Sequence, residues 1–230
     1  MPRIGGNGRR GQDSLKPALR TRVIVVASTK GGVGKTTVAA CLAVRAAHDS
    51  PRVAMIDMDP QGSLAQWWTR RGMSVNPRLI ADAEQNVREE VDQLSRQGWD
   101  YIFIDSPPAM IDVIERAVRC ASFVVVPVKA SSLDILAIDA ILDLCRYHRV
   151  AYGLVINDAE LRWKITAGAI EALADAGPLL ATILHRSVYV SAMTVGKTGP
   201  ESSDVRQAAE AANEIEDLWL QIVAQMDRSK

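Results

Sequence analysis

The chain has 230 residues, 48% of them hydrophobic, and its 27 basic and 27 acidic side chains cancel. That is enough apolar chain to bury a full core without disulfide or metal staples. It holds neither eighteen consecutive apolar residues nor a charged-then-apolar leader, which excludes the membrane-spanning and secreted classes and makes the cytoplasm the expected location. The neutral total hides an asymmetry: before Val23, Arg3, Arg9, Arg10, Lys16, Arg20 and Arg22 face Asp13 alone, +5 there against −5 in the remainder. With Gly5, Gly6, Gly8 and Gly11 and no apolar periodicity, residues 1–21 are expected to be a basic, disordered extension, and residues 22–230 a single domain. The extension is a nonspecific grip on DNA phosphates, a solvated tail, or the result of a start codon placed too early.

In chain order, the apolar run Val23 to Ala27 leads into Ser28-Thr29-Lys30-Gly31-Gly32-Val33-Gly34-Lys35-Thr36-Thr37, and Val38 to Ala47 then has helical periodicity. This is a strand, a phosphate loop and a helix. Glycines let successive N–H groups turn toward phosphate oxygens, and the next helix adds its positive end. Lys35 would reach the β- and γ-phosphates and the Thr36 hydroxyl would sit on Mg²⁺. Arg52 to Asp57 is a second strand running into Asp57-Met58-Asp59-Pro60-Gln61-Gly62, where carboxylates at a strand's carboxyl end would face a nucleotide crevice; the alternative is an acidic turn stopped by Pro60. Trp67 and Trp68 follow on a short helix on which one indole is expected to face inward, leaving the other at the surface, as part of a dimer or partner surface or as an exposed aromatic with no special function. Tyr101 to Asp105, followed by Ser106-Pro107-Pro108, has the form of a Walker-B strand. Asp105 would hold a Mg²⁺-bound water and sense the γ-phosphate through the next loop.

Further strands are expected at Phe123 to Val128, Tyr152 to Ile156 and Leu179 to Leu184. Helices are expected at Val87 to Gln97, Ile111 to Cys120, Leu133 to Tyr147 and Ala167 to Ala176. Strands alternating with helices imply an α/β domain, a mostly parallel twisted sheet covered on both faces. Ser202 to Met226 closes the chain as a long helical region, with Ser202, Ser203 or Asp204 as its N-cap. Cys41, Cys120 and Cys145 share no metal spacing and are expected to be reduced core thiols; His48, His148 and His185 are equally scattered.

The loop departs from the common G-x-x-x-x-G-K-[ST] pattern: Thr29 stands where glycine is usual, and Lys30 is a second cation. Here the chain resembles the deviant Walker-A ATPases of the ParA/MinD family, whose signature K-G-G-x-G-K-T-T is present in full. The resemblance implies a P-loop NTPase that binds ATP and Mg²⁺ through Lys30, Gly31, Gly32, Val33, Gly34, Lys35, Thr36 and Thr37. It also implies that Lys30 crosses a dimer interface to the partner's ATP, that Asp59 orients the attacking water, and that Asp57 supports the metal or the loop. Asn157 occupies the position where relatives read the adenine edge, or is a turn former. The stretch Ile183-Leu184-His185-Arg186-Ser187-Val188-Tyr189-Val190, with Gly196-Lys197 and Glu201-Ser202-Ser203-Asp204, is similar to the end of short ParF-like plasmid-partition ATPases, which lack an N-terminal helix-turn-helix domain.

The leading expectation is therefore a slow, Mg²⁺-dependent ATPase for DNA partition or cargo positioning. It would dimerise on ATP, bind nonspecific DNA on the nucleoid, and be released when a ParB-like or other adaptor stimulates hydrolysis. Arg162, Lys164, Lys197 and Arg206 are candidates for the DNA face. A MinD-type membrane-cycling regulator is the alternative, and a metabolic enzyme on the same fold a third. Against the second, Ile215, Leu218, Trp219, Ile222, Val223 and Met226 form an apolar stripe whose polar flank, Glu214, Glu216, Asp217 and Asp227, is acidic and would be repelled by an anionic leaflet. No stable membrane association is expected.

Overall fold

The computed structural model describes residues 21–81, 85–131, 138–160 and 163–228. Among these residues seven strands form one parallel sheet: β1 (Arg22–Val26), β2 (Val53–Asp57), β3 (Arg78–Leu79), β4 (Tyr101–Asp105), β5 (Phe123–Val128), β6 (Tyr152–Ala159) and β7 (Leu179–Leu184). Their order is β3-β2-β4-β1-β5-β6-β7, every neighbouring pair parallel. Parallel strands need crossovers, and those among the described residues are α1 (Lys35–Asp49), α2 (Ser63–Arg70), α3 (Val87–Arg96), α4 (Ile111–Val118), α5 (Asp139–His148) and α6 (Trp163–Leu173). After β7 come α7 (Ser187–Met193), a 3₁₀ turn (Gly199–Glu201) and α8 (Val205–Arg228).

Strand alternation divides the core in two. Ile24 and Val26 of β1 pack on one face with α1, α2, α7 and α8, whereas Val23, Val25 and Ala27 pack on the other with α3 to α6. Both faces of the central strands are covered, so they read as unbroken apolar runs. Three of these runs end at one level, because the register pairs Val26 with Asp105 and Asp105 with Asp57. The chain reverses direction across β1, between β4 and β5, which opens the crevice at the carboxyl ends of these strands.

The expected elements recur with shifted ends. β6 runs on to Ala159 past a bulge, and Asp158 within it has φ 59°. Of the expected helix 133–147, residues 138–147 are described and 139–147 of them lie within α5, and the expected extension 1–21 falls outside the described residues except for Thr21. The pairing of β3 with β2 and the helix α7 were not expected; β3 has two residues and hence no periodicity to detect. The surface role expected for one tryptophan is corrected. Trp67 is buried, and Trp68 also turns inward, its Nε1 donating to Ser74 O at 3.1 Å and Pro77 O at 3.3 Å where the chain folds back after α2.

Asp204, of the three candidates, caps α8: its Oδ1 accepts the Gln207 N–H at 3.1 Å. The stripe Ile215, Leu218, Trp219, Ile222 and Met226 is buried in the core, with Trp219 edge-on to Tyr101 at 5.1 Å. The acidic flank is met by the body of the domain: Arg186 binds Glu210 and Glu214, Arg45 binds Glu216, and Arg22 binds Asp227. Among the described residues no helix is long and apolar enough to cross a membrane. Cys41 and Cys145 are buried free thiols and Cys120 is a half-buried one.

Candidate nucleotide site

Residues 28–34 turn from β1 into α1 at the crevice. Gly34 is the residue before α1 and has φ 88° and ψ 24°, a left-handed conformation that an L side chain resists. A methyl group built on Gly31 or Gly32 would meet nothing within 4 Å, so the loop faces open space. The first turn of α1 has neither a side-chain cap nor an acidic residue. Its N–H groups, at the positive end of the helix, are left for an anion. Asn157 braces the loop from β6: its Nδ2 donates to Val33 O at 2.8 Å, and a Cβ on Gly34 would lie 2.2 Å from that nitrogen.

The two loop lysines differ in environment. Lys35 is buried and its Nζ donates to Lys30 O at 3.0 Å. Burial lowers its pKa, opposed by the negative charges of Asp105 and Asp59. The Lys30 side chain is exposed and makes no ion pair among the described residues.

Asp105 is fully buried, and its Oδ2 accepts the Thr36 hydroxyl at 2.6 Å. Its Oδ1 and the buried Ser106 Oγ have no hydrogen-bond partner among the described residues. Burial pushes the Asp105 carboxyl up to about 7; the Thr36 hydrogen bond and Lys35 oppose the rise, while Asp57 and Asp59 add to it. Asp105 and Asp59 thus act on the buried Lys35, and Asp57 acts on Asp105 in turn, a gathering of carboxyl groups that suits a cation. Thr36 and Asp105, with one buried oxygen still to be satisfied, fit Mg²⁺. That ion takes one or two protein ligands and fills its shell with water and phosphate oxygens. Among the described residues no group of three or more His, Cys, Asp or Glu is set to hold a metal unaided.

Asp57 lies under the second loop and not free in the crevice: Oδ1 accepts the Asp59 N–H at 3.1 Å and Oδ2 the Ala65 N–H at 2.9 Å. Burial raises its pKa, and these hydrogen bonds oppose that. Asp59, half-buried, closes its own turn by accepting the Gln61 N–H at 3.0 Å.

Two features were not read from the sequence. Ser106 is one; its buried, unpartnered hydroxyl follows Asp105 and carried no signal beyond membership of a serine-proline turn. The other is a polar cluster at the carboxyl ends of β5, β6 and β7, where Asp158 pairs with Lys129 at 2.9 Å and His185 at 2.5 Å. Burial raises the Asp158 pKa, but the bonds to Lys129 and His185 outweigh it and the net shift is downward. Among the proposed DNA-face residues, Lys197 is exposed and Arg206 is exposed but paired with Glu210 at 3.3 Å. Arg162 and the side chain of Lys164 lie outside the described residues.

Residues 24–199 match the family model of the CobQ/CobB/MinD/ParA nucleotide binding domain. The chain belongs to this family. Among curated ParA/MinD relatives it is 28% identical over 208 residues to maintenance of carboxysome distribution protein A of Halothiobacillus neapolitanus, covering 84% of this chain and 93% of that protein. It is 32% identical over 142 residues to the chromosome-partitioning ATPase Soj of Thermus thermophilus, covering 48% of this chain and 56% of Soj. An ATP complex of a Cyanothece McdA variant has the same fold, with TM-score 0.70 and 19% identity over 89% of this chain and 97% of that one. So does the Aquifex aeolicus cell division protein MinD, at TM-score 0.70 and 21% identity over 88% and 97%. As a ParA/MinD domain, the chain is an α/β P-loop nucleotide-binding protein with the ATPase fold of its relatives.

Proposed function

We propose that this chain is a ParA-type ATPase for DNA partition or cargo positioning, one that dimerises around ATP, binds nonspecific DNA in that state, and leaves it when an adaptor protein stimulates hydrolysis. The observation that carries the reading is the division of labour between the loop lysines: Lys35 is buried against the loop's own carbonyl, and Lys30 is exposed with no ion pair among the described residues. One lysine is available to this chain's phosphates and the other to a second subunit's.

ATP entering the crevice would take its phosphates onto the N–H groups of Gly31 to Thr37, with Lys35 leaving Lys30 O for a phosphate oxygen. Bound Mg²⁺ neutralises charge developing on the transferred phosphoryl group. Thr36 and Asp105 would hold that ion, Asp105 through a water. Asp59 would orient the attacking water, and Asp57 holds the turn that carries it. Such catalysis rests on placement and charge, not on covalent chemistry. Asn157, its Nδ2 committed to Val33 O, keeps its carbonyl oxygen for the donor amino group of adenine.

The reading is tested by binding to a long nonspecific duplex at several salt concentrations, with ATP and with ADP, using the full chain and one starting near Arg20. ATP-dependent, salt-sensitive binding that survives truncation supports it. Binding that ignores nucleotide and vanishes with the extension reduces it to charge on residues 1–21.

A further inference from the structure

The loop bearing Asp59 is continuous with α2, and α2 is held at both ends. At its start, Ala65 donates to Asp57 and the Gln66 side-chain amide donates to Gln61 O at 3.0 Å. At its end it meets residues 196–201, far away in sequence. Gly196 (φ 73°) lies so close that a Cβ on it would come 2.2 Å from Arg71 N. Trp67 Nε1 donates to Lys197 O at 3.0 Å. The Arg71 guanidinium sits 5.3 Å from the Trp67 ring centroid and donates to both Glu201 oxygens at 2.7 Å and to Gly196 O at 3.1 Å. Glu201 Oε2 also accepts the Thr198 N–H and hydroxyl, each at 2.8 Å. The Gly199 backbone and the charges of Glu201 and Arg71 all act on the buried Cys41 thiol of α1, so the same segment lies against the helix that begins with Lys35 and Thr36.

An eight-residue helix has no stability of its own, so its position is set by what grips it. A planar guanidinium engaging both oxygens of a carboxylate fixes orientation as well as distance. We propose that Arg71 and Glu201 are positioning residues for ATP hydrolysis: by locking α2 to residues 196–201, which also contact α1, they hold the Asp59 turn in fixed relation to the phosphate loop. The inference rests on the ATPase reading above. It assigns the clamp no contact with nucleotide; it acts through Asp59.

The test is single-turnover hydrolysis of ATP by the full chain alongside the Kd of a non-hydrolysable ATP analogue, for Arg71→Ala, Arg71→Lys and Trp67→Phe, with Asp59→Ala and Lys35→Ala as references. Displacement of a catalytic group by about 1 Å costs on the order of 100-fold, so Arg71→Ala should lose about 10- to 100-fold in rate. Analogue affinity should stay within about threefold, the signature of a lost transition-state interaction. Arg71→Lys, which keeps the charge without the fork, should fall between. Trp67→Phe keeps an aromatic ring under Arg71 but removes the indole N–H and its bond to Lys197 O, which carries the test should Arg71→Ala fail to fold; it too should lose rate and not affinity. Parental rates in folded Arg71 and Trp67 variants, with Asp59→Ala inactive, would overturn the clamp and leave the ATPase reading standing. Parallel loss of rate and affinity would make the pair merely structural and also overturn it. A wild type no faster than Lys35→Ala, or an Asp59→Ala variant at the parental rate, would remove the ATPase reading or its Asp59 step, and the clamp with it.

Discussion

Replacing Gly34 by alanine, alone and combined with Asn157→Ala, measures how tightly β6 braces the phosphate loop. The left-handed backbone at Gly34, φ 88°, costs an alanine about 1–2 kcal/mol. The new Cβ would also stand 2.2 Å from Asn157 Nδ2, so the amide must leave its 2.8 Å hydrogen bond to Val33 O. Leaving a buried polar group unsatisfied costs about 1–3 kcal/mol. Gly34→Ala should therefore destabilise the nucleotide-free protein by about 2–5 kcal/mol. Asn157→Ala alone should cost about 1–3 kcal/mol through the lost bond. With Asn157 already truncated there is nothing left to displace, and Gly34→Ala should cost only the backbone strain, about 1–2 kcal/mol. Urea denaturation of the four proteins gives the cycle, provided the denaturant slope stays constant. A coupling of about 1–3 kcal/mol is expected for groups in direct contact. Equal cost of Gly34→Ala in both backgrounds, to within about 0.5 kcal/mol, would refute the brace.

Lys35→Ala should abolish binding of a fluorescent ATP analogue, whereas Lys30→Ala should retain binding to the monomer and lose ATP-dependent dimerisation in sedimentation; a Lys30→Ala dimer would end the cross-subunit role. Burial raises the Glu201 pKa, but the hydrogen bonds from Arg71 and Thr198 more than offset it and leave it lowered. The stability this supplies is complete above the unfolded glutamate pKa of about 4.3 and is lost as pH falls through the folded value. Thermal melts from pH 7 down to 3 should therefore show a fall below about pH 4.3 that is shallower in Arg71→Ala. Trp219→Ala should cost about 3–5 kcal/mol, because the indole is buried against Tyr101 and Phe103. The wild-type chain should not pellet with phosphatidylglycerol vesicles in ATP or ADP, since the apolar stripe of α8 is already in the core; sedimentation with ATP alone would revive the membrane-cycling reading.

Local signals carried much of this protein. The phosphate loop needs glycines, a lysine and a hydroxyl at fixed spacing within ten residues, and the buried parallel strands must be apolar on both faces, so both could be read along the chain. The ends of Tyr101–Asp105 and Phe123–Val128 coincide with the strands of the fold for that reason. The acidic flank of α8 was also legible, and its apolar stripe indicated packing onto the domain.

Other features depend on residues that the sequence does not bring near one another. Asn157 reaches Val33 across 124 positions, and Arg71 reaches Glu201 across 130. Sheet order makes the first possible by setting β6 beside β5 and β5 beside β1, and the packing of α2 against residues 196–201 makes the second possible. Asp57 shows the difference within one motif. Its position at a strand's carboxyl end follows from the sequence, but only the turn folding back onto its two oxygens decides that it supports Asp59 from below. The sequence by itself determined which residue types line the crevice, since those stand at short spacing. The tertiary structure decided which groups are held, buried or left free there, because hydrogen-bond partners and desolvation come from chain segments meeting in space.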